Sequence, residues 1–276
     1  MQEYVNGPHG PMRSWASEPR QGLPILFIHG YGAMIDHWKR IVRPMARQHS
    51  FYAIDLYGFG ESARPNGKPS KERWADQAAT FVRDVIGEPA VIVGHSMGGV
   101  VATEFARRHA DLTRALVLVN SSGMQLYERP MSQTDRFLMG MIGAPLLGEA
   151  LAGVFANPWG VRQSLLSAYH NKERVTDDLV EMFSTPLRKY GSASYLAVSR
   201  NTPSIIIEAR AGEITAPALL IWGAEDRSIP PSDAEALKKL ALPQAEIKIL
   251  PDTGHCPFDE NPTQFCDALL PWLARL

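Results

Sequence analysis

The chain has 276 residues, of which 45% are hydrophobic and 21% charged, the balance of a water-soluble globular protein long enough to bury a substantial core. A formal net charge of -1 excludes a general field for nucleic acid or an anionic membrane. Two cysteines exclude a disulfide framework and read as free thiols of a reducing compartment, so a cytoplasmic location is expected.

The N-terminal stretch MQEYVNGPHGPMRSWASEPRQG is polar and rich in Pro and Gly, without the basic and apolar regions of a signal peptide. It has room for an edge strand or two. Six short apolar runs then read as strands: 24–29, 51–56, 90–95, 115–120, 218–223 and 245–250. Most are continuously apolar, as parallel strands covered on both faces require. Amphipathic stretches at 35–48, 71–87, 232–241 and 263–276 read as the helices between and after them. This alternation predicts an α/β fold, a mostly parallel central sheet with helices on both faces.

The rhythm breaks once. Roughly 97 residues separate Asn120 from Ala218 without a good strand, too many for a structureless loop. Asn157 followed by Pro158 predicts a helix start, and Thr176 caps another. Residues 124–213 are therefore expected to form an inserted helical cap, with 1–123 and 214–276 as the core domain. The apolar run 137–156 contains Glu149, Pro145 and four glycines, which argues against a transmembrane helix. Met139, Met141, Leu146, Leu147, Leu151, Phe155 and Trp159 can form the core of the cap or line a pocket.

The chemistry starts at VIVGHSMGGVV, residues 91–101, where a strand gives way to a helix. Gly94-His95-Ser96-Met97-Gly98 is the G-x-S-x-G elbow. Small residues on either side let strand and helix approach while the turn holds Ser96 in a strained conformation. The N–H of Met97 then lies at a helix N-terminus, where it can stabilise an anion.

With this elbow the sequence resembles the α/β-hydrolase superfamily, and three further segments follow in that family's order. HGYGA, residues 29–33, follows the first clear strand; the resemblance implies a second oxyanion-hole donor at the N–H of Tyr31, with His29 bracing the loop. WGAEDRSIP, residues 222–230, holds Asp226 where the family places its acid, with Glu225 as neighbouring competitor. Relatives that carry the acid after the previous strand would have it where this chain has Asn120. PDTGHCPFDENP, residues 251–262, supplies His255, while Asp252 and Asp259 read as loop-capping residues. The resemblance thus implies a Ser96–Asp226–His255 triad. The segment around His255 is also similar to pheophytinase-like hydrolases, which cleave a long isoprenoid ester.

The expected activity is hydrolysis of fairly hydrophobic, uncharged carboxylic esters by a monomer or homodimer, with no cofactor, metal, nucleic acid or stable membrane insertion. Two alternatives keep the triad: carbon–carbon bond hydrolysis of dienoate-type diketones, and perhydrolysis. The carbon–carbon reaction needs a buried cap arginine for the substrate carboxylate, with Arg162, Arg174, Arg188 and Arg200 as candidates. A ligand receptor on a hydrolase scaffold is the alternative from another class. Dehalogenase and epoxide hydrolase relatives carry Asp at the elbow, where this chain has Ser96. The partial dinucleotide pattern in LYGFGESA, residues 56–63, lacks the second strand and acid a nucleotide site needs. It fits a turn braced by Asp55 and Ser62.

Overall fold

A computed structural model describes residues 2–124, 144, 148–149 and 156–276. The polar N-terminus forms an antiparallel hairpin of β1 (Gln2–Gly7) and β2 (Gly10–Ala16), joined through the paired Gly7 and Gly10. These are the edge strands for which the sequence left room. The parallel strands β3 (Pro24–Ile28), β4 (Ser50–Ile54), β5 (Ala90–His95), β6 (Thr113–Val119), β7 (Ala218–Gly223) and β8 (Glu246–Leu250) follow, each within two residues of its predicted bounds. They form one eight-stranded sheet in the order β1-β2-β4-β3-β5-β6-β7-β8, antiparallel only at β1/β2 and β2/β4.

Burial explains the apolar runs. Every residue of β3, β4, β5 and β7 is buried, and successive side chains enter different cores. Leu26, Ile28, Ile92, Leu116 and Leu220 pack with α2 (Lys71–Phe81) and α3 (Met97–Arg108) on one face. On the other face, Ile25, Phe27, Val91, Val93 and Val117 pack with α1 (Lys39–Ala46). Each such aliphatic side chain contributes about 1.5–3 kcal/mol when fully buried.

Helices α4 (Pro158–Ala168), α5 (Asp177–Tyr190) and α6 (Ala193–Asn201) occupy the long interval between β6 and β7. Their starts match the sequence. The side chain of Asn157 accepts the N–H of Gly160 with Pro158 in the first turn, and Thr176 accepts from Leu179. Val161 and Leu165 of α4 and Leu179 of α5 join the second core, whereas Tyr195 and Val198 of α6 join the first. Trp159 is 61% exposed and belongs to neither core, so neither reading given to it above holds. Met139, Met141, Leu146, Leu147, Leu151 and Phe155 lie outside the described residues. After β7 come α7 (Ser232–Leu240), α8 (Pro257–Glu260) and α9 (Pro262–Leu273). Among the described residues no helix is long and apolar enough to cross a membrane.

The strand order positions the site. From β3 the chain moves to β4 on one side, then returns to place β5 on the other. This reversal leaves a crevice between the carboxyl ends of β3 and β5, the place where open parallel sheets bind ligands.

Candidate active site

Ser96 stands directly after β5 with φ 52 and ψ -121, a left-handed-side conformation that a serine adopts only under constraint. The constraint is the hydrogen-bonding of its peptide: its N–H donates to Val119 O (3.0 Å) and its carbonyl accepts from Gly99 N (2.9 Å) and Ser122 N (3.1 Å). Glycine is obligatory on both sides. A Cβ at Gly94 would lie 2.2 Å from Gly98 O, and one at Gly98 would lie 2.4 Å from Ile28 O. Met97 opens α3, so its N–H belongs to the first turn, which has no acceptor within the helix.

The loop after β3 brings Tyr31 to the same crevice. His29 is fully buried, its Nδ1 bonded to Gly30 O (2.8 Å) and its Nε2 accepting the N–H of Leu56 (3.0 Å). Burial lowers its pKa to about 4, so a neutral ring braces two loops. The Tyr31 phenol bonds α6, donating to Tyr195 O (3.2 Å) and pairing with Ser199 Oγ (2.9 Å).

Asp226 follows β7 with its side chain buried, and it is this residue rather than the exposed Glu225 that meets the histidine. His255 Nδ1 lies 2.7 Å from Asp226 Oδ2. The same oxygen accepts from Asn120 Nδ2 (2.7 Å), and Oδ1 accepts the N–H groups of Ser228 (2.8 Å) and Ile229 (3.0 Å). Burial alone would raise this carboxyl, but His255, the Ile229 N–H and Asn120 together hold it below its ordinary value.

Ser96, His255 and Tyr31 line one cavity of about 660 Å³. Its walls include Val161, Leu165 and Ala168 of α4 and Phe183 and Leu187 of α5. Leu196 of α6 adds a further apolar surface. Among the described lining residues there is no lysine or arginine. The four arginines considered above are engaged elsewhere: Arg162 with Asp177, Arg188 with Glu181, Arg174 with Glu260 O (3.1 Å) and Arg200 with Glu149 (2.9 Å). Among the described residues no group of three His, Cys, Asp or Glu side chains is placed to hold a metal. Both cysteines are buried, and Cys256 lines the cavity.

Three contributors were not found in the sequence. Asn120 was noted only for not being an acid, yet its left-handed backbone (φ 42) and amide serve Asp226. Glu260, buried in the DENP segment, accepts three main-chain N–H groups, from Cys256 (3.1 Å), His170 (2.8 Å) and Asn171 (3.0 Å). It thereby fastens the His255 loop to the end of α4. Asp259, expected to cap a loop, instead pairs with Arg40 (2.8 Å) and accepts from the Tyr169 hydroxyl (2.9 Å). A run of acids before a proline gives no sequence signal that two of them point inward.

These features define a member of the Alpha/beta hydrolase family, whose profile matches residues 25–268, and the chain belongs to that family. It is 26% identical to the 2-hydroxy-6-oxo-6-(2'-aminophenyl)hexa-2,4-dienoic acid hydrolase of Metapseudomonas resinovorans, over 100% of this chain and 91% of that protein. It is 25% identical to the chloroplastic pheophytinase of Arabidopsis thaliana, over 91% of this chain and 61% of that protein. Among solved structures, a thermophilic esterase from Thermogutta terrifontis superposes with a TM-score of 0.79 at 22% identity, covering 100% of this chain and 98% of the other.

Proposed function

We propose that this hydrolase cleaves carboxylic esters of fairly hydrophobic, uncharged substrates through an acyl-enzyme on Ser96. The observation that carries the reading is the 2.7 Å bond from His255 Nδ1 to Asp226 Oδ2 in a loop whose imidazole shares a cavity with Ser96. With Nδ1 committed to Asp226, Nε2 is the nitrogen left to take the Ser96 proton. Ser96 Oγ attacks the ester carbonyl, and the oxyanion is held by the N–H groups of Tyr31 and Met97. His255 then passes its proton to the departing alkoxide. Water, deprotonated by His255, attacks the acyl group and restores Ser96, with no metal or cofactor entering a step. Residues 124–213 act as the cap over this cavity, and 1–123 with 214–276 as the catalytic core.

Carbon–carbon bond hydrolysis is the second reading, favoured by the whole-length similarity to the dienoic acid hydrolase. Against it stands the absence of a cationic side chain among the described lining residues, which leaves a substrate carboxylate without a partner there. A panel of p-nitrophenyl esters of increasing acyl length, run beside a dienoate diketone, separates the two. Ester turnover with preference for neutral acyl groups is expected; faster turnover of the dienoate would reverse the assignment. Ser96→Ala is expected to lower kcat by about 10⁵–10⁶-fold, with an unchanged circular dichroism spectrum.

A further inference from the structure

His255 is held by its peptide as well as by its ring. Its N–H donates to Ala168 O (3.0 Å), the last residue of α4, and its carbonyl lies 2.9 Å from Nε2 of His95. His95 immediately precedes Ser96, so one hydrogen bond joins the nucleophile's elbow to the main chain of the histidine 160 residues away.

The state of the His95 ring follows from its partners. A carbonyl oxygen can only accept, so Nε2 carries the proton and Nδ1 presents a lone pair. That Nδ1 is buried without a partner among the described residues, and a Cβ on Gly30 would lie 3.1 Å from it. The ring is packed against Phe258 (centroids 4.9 Å apart), Trp38 (6.3 Å) and His37 (6.2 Å). Burial, with the neighbouring His255 and His37 adding to it, drives its pKa well below the usual imidazole range, and the ring stays neutral. A leucine would suit these walls and would remove the unpaired Nδ1, but it would take the donor away from the His255 carbonyl. What the imidazole adds is one fixed N–H donor aimed at the His255 carbonyl.

We propose that His95, the variable second residue of the elbow, is a positioning residue whose Nε2–H sets the register between Ser96 and His255. The proposal rests on the reading of Ser96 as nucleophile and His255 as base. His95 also borders the cavity, its ring 4.8 Å from that of His255, but its Nε2–H is committed to the His255 carbonyl; it holds the two loops at a fixed separation, and small misplacements of a general base are costly to the chemical step.

The test compares wild type, His95→Leu, His95→Gln and Ser96→Ala on p-nitrophenyl butyrate. His95→Leu is expected to lower kcat on the order of 10–100-fold with KM within about threefold, because positioning acts on the reaction and not on binding. His95→Gln, whose amide N–H reaches the region of the lost Nε2–H, is expected to recover most of that loss. A His95→Leu enzyme with wild-type kcat, or a Gln variant as slow as the Leu variant, overturns the proposal. If the Leu variant does not fold, ¹⁵N NMR of the wild-type protein decides. His95 must show the Nε2–H tautomer without titrating between pH 5 and 8, and a titrating ring or the Nδ1–H tautomer overturns it. A Ser96→Ala enzyme that still turns over removes the nucleophile reading and the proposal with it, an outcome recognisable without any His95 variant.

Discussion

Asp55 and Asp226 occupy comparable places, just past the carboxyl ends of β4 and β7, and both side chains are buried. Their surroundings differ. Asp55 accepts the N–H groups of Ile35 (2.7 Å) and Glu61 (2.8 Å) and lies 3.5 Å from the Arg13 guanidinium, with Gly60 pressed against it. Burial outweighs these partners and pushes its pKa up to about 6. Asp226 is buried less deeply and faces an imidazole and a side-chain amide in addition to two main-chain donors, and it stays below its ordinary value. The first carboxylate pins loops to one another. The second is directed at a ring that opens onto the cavity. Position at a strand end does not separate an acid that pins loops from one proposed for catalysis; the partner does.

The sharpest break in that comparison is expected from paired substitutions. Asp226→Asn should lower kcat by about 10⁴-fold while the protein still folds, since the amide no longer fixes the His255 tautomer or balances its charge. Asp55→Ala should do the reverse. It removes the acceptor from the N–H groups of Ile35 and Glu61, while Arg13 keeps Asp36 (2.6 Å), and should cost about 2–4 kcal/mol in urea denaturation, while kcat per folded molecule falls less than tenfold. Asn120→Ala should have a smaller effect, roughly a tenfold loss in kcat, because it removes one charge-assisted donor from Asp226 and leaves the other three.

The smallest effect is a difference in pH dependence of stability. The raised pKa of Asp55 means the folded chain binds that proton more tightly than the unfolded chain. Its contribution is present at low pH and is lost as pH rises toward and through about 6. The depressed pKa of Asp226 contributes in the opposite sense: stability is present above the ordinary carboxyl value and is lost as pH falls through the lower folded value. Unfolding free energies measured from pH 3 to 7 should flatten between about 4 and 6 in Asp55→Asn, and below about 4 in Asp226→Asn.

Much of this was readable in the sequence because it depends on local pattern. Uninterrupted runs such as Pro24–Ile28 and Ala218–Gly223 mark strands enclosed on both faces, and the glycines around Ser96 mark the sharp turn. The choice of Asp226 over Glu225 followed from family order, and the structure adds that Glu225 is exposed. The supports of His255 left no comparable trace. Asn120, His95 and Glu260 act through hydrogen bonds to chain segments far away, and such pairings have no periodicity. Trp159 shows the converse error. A large apolar residue beside a helix start reads as core, yet here it lies on the outside of α4.

The crevice between β3 and β5 exists only once strands distant in the chain have paired, and the three side chains proposed for the reaction arrive at positions 96, 226 and 255. A polypeptide emerging from the ribosome therefore presents the proposed nucleophile long before the imidazole proposed to activate it. On that proposal, the serine is an ordinary alcohol until the final strand docks. Recovery of ester cleavage during refolding would accordingly time the last event of assembly and not the first.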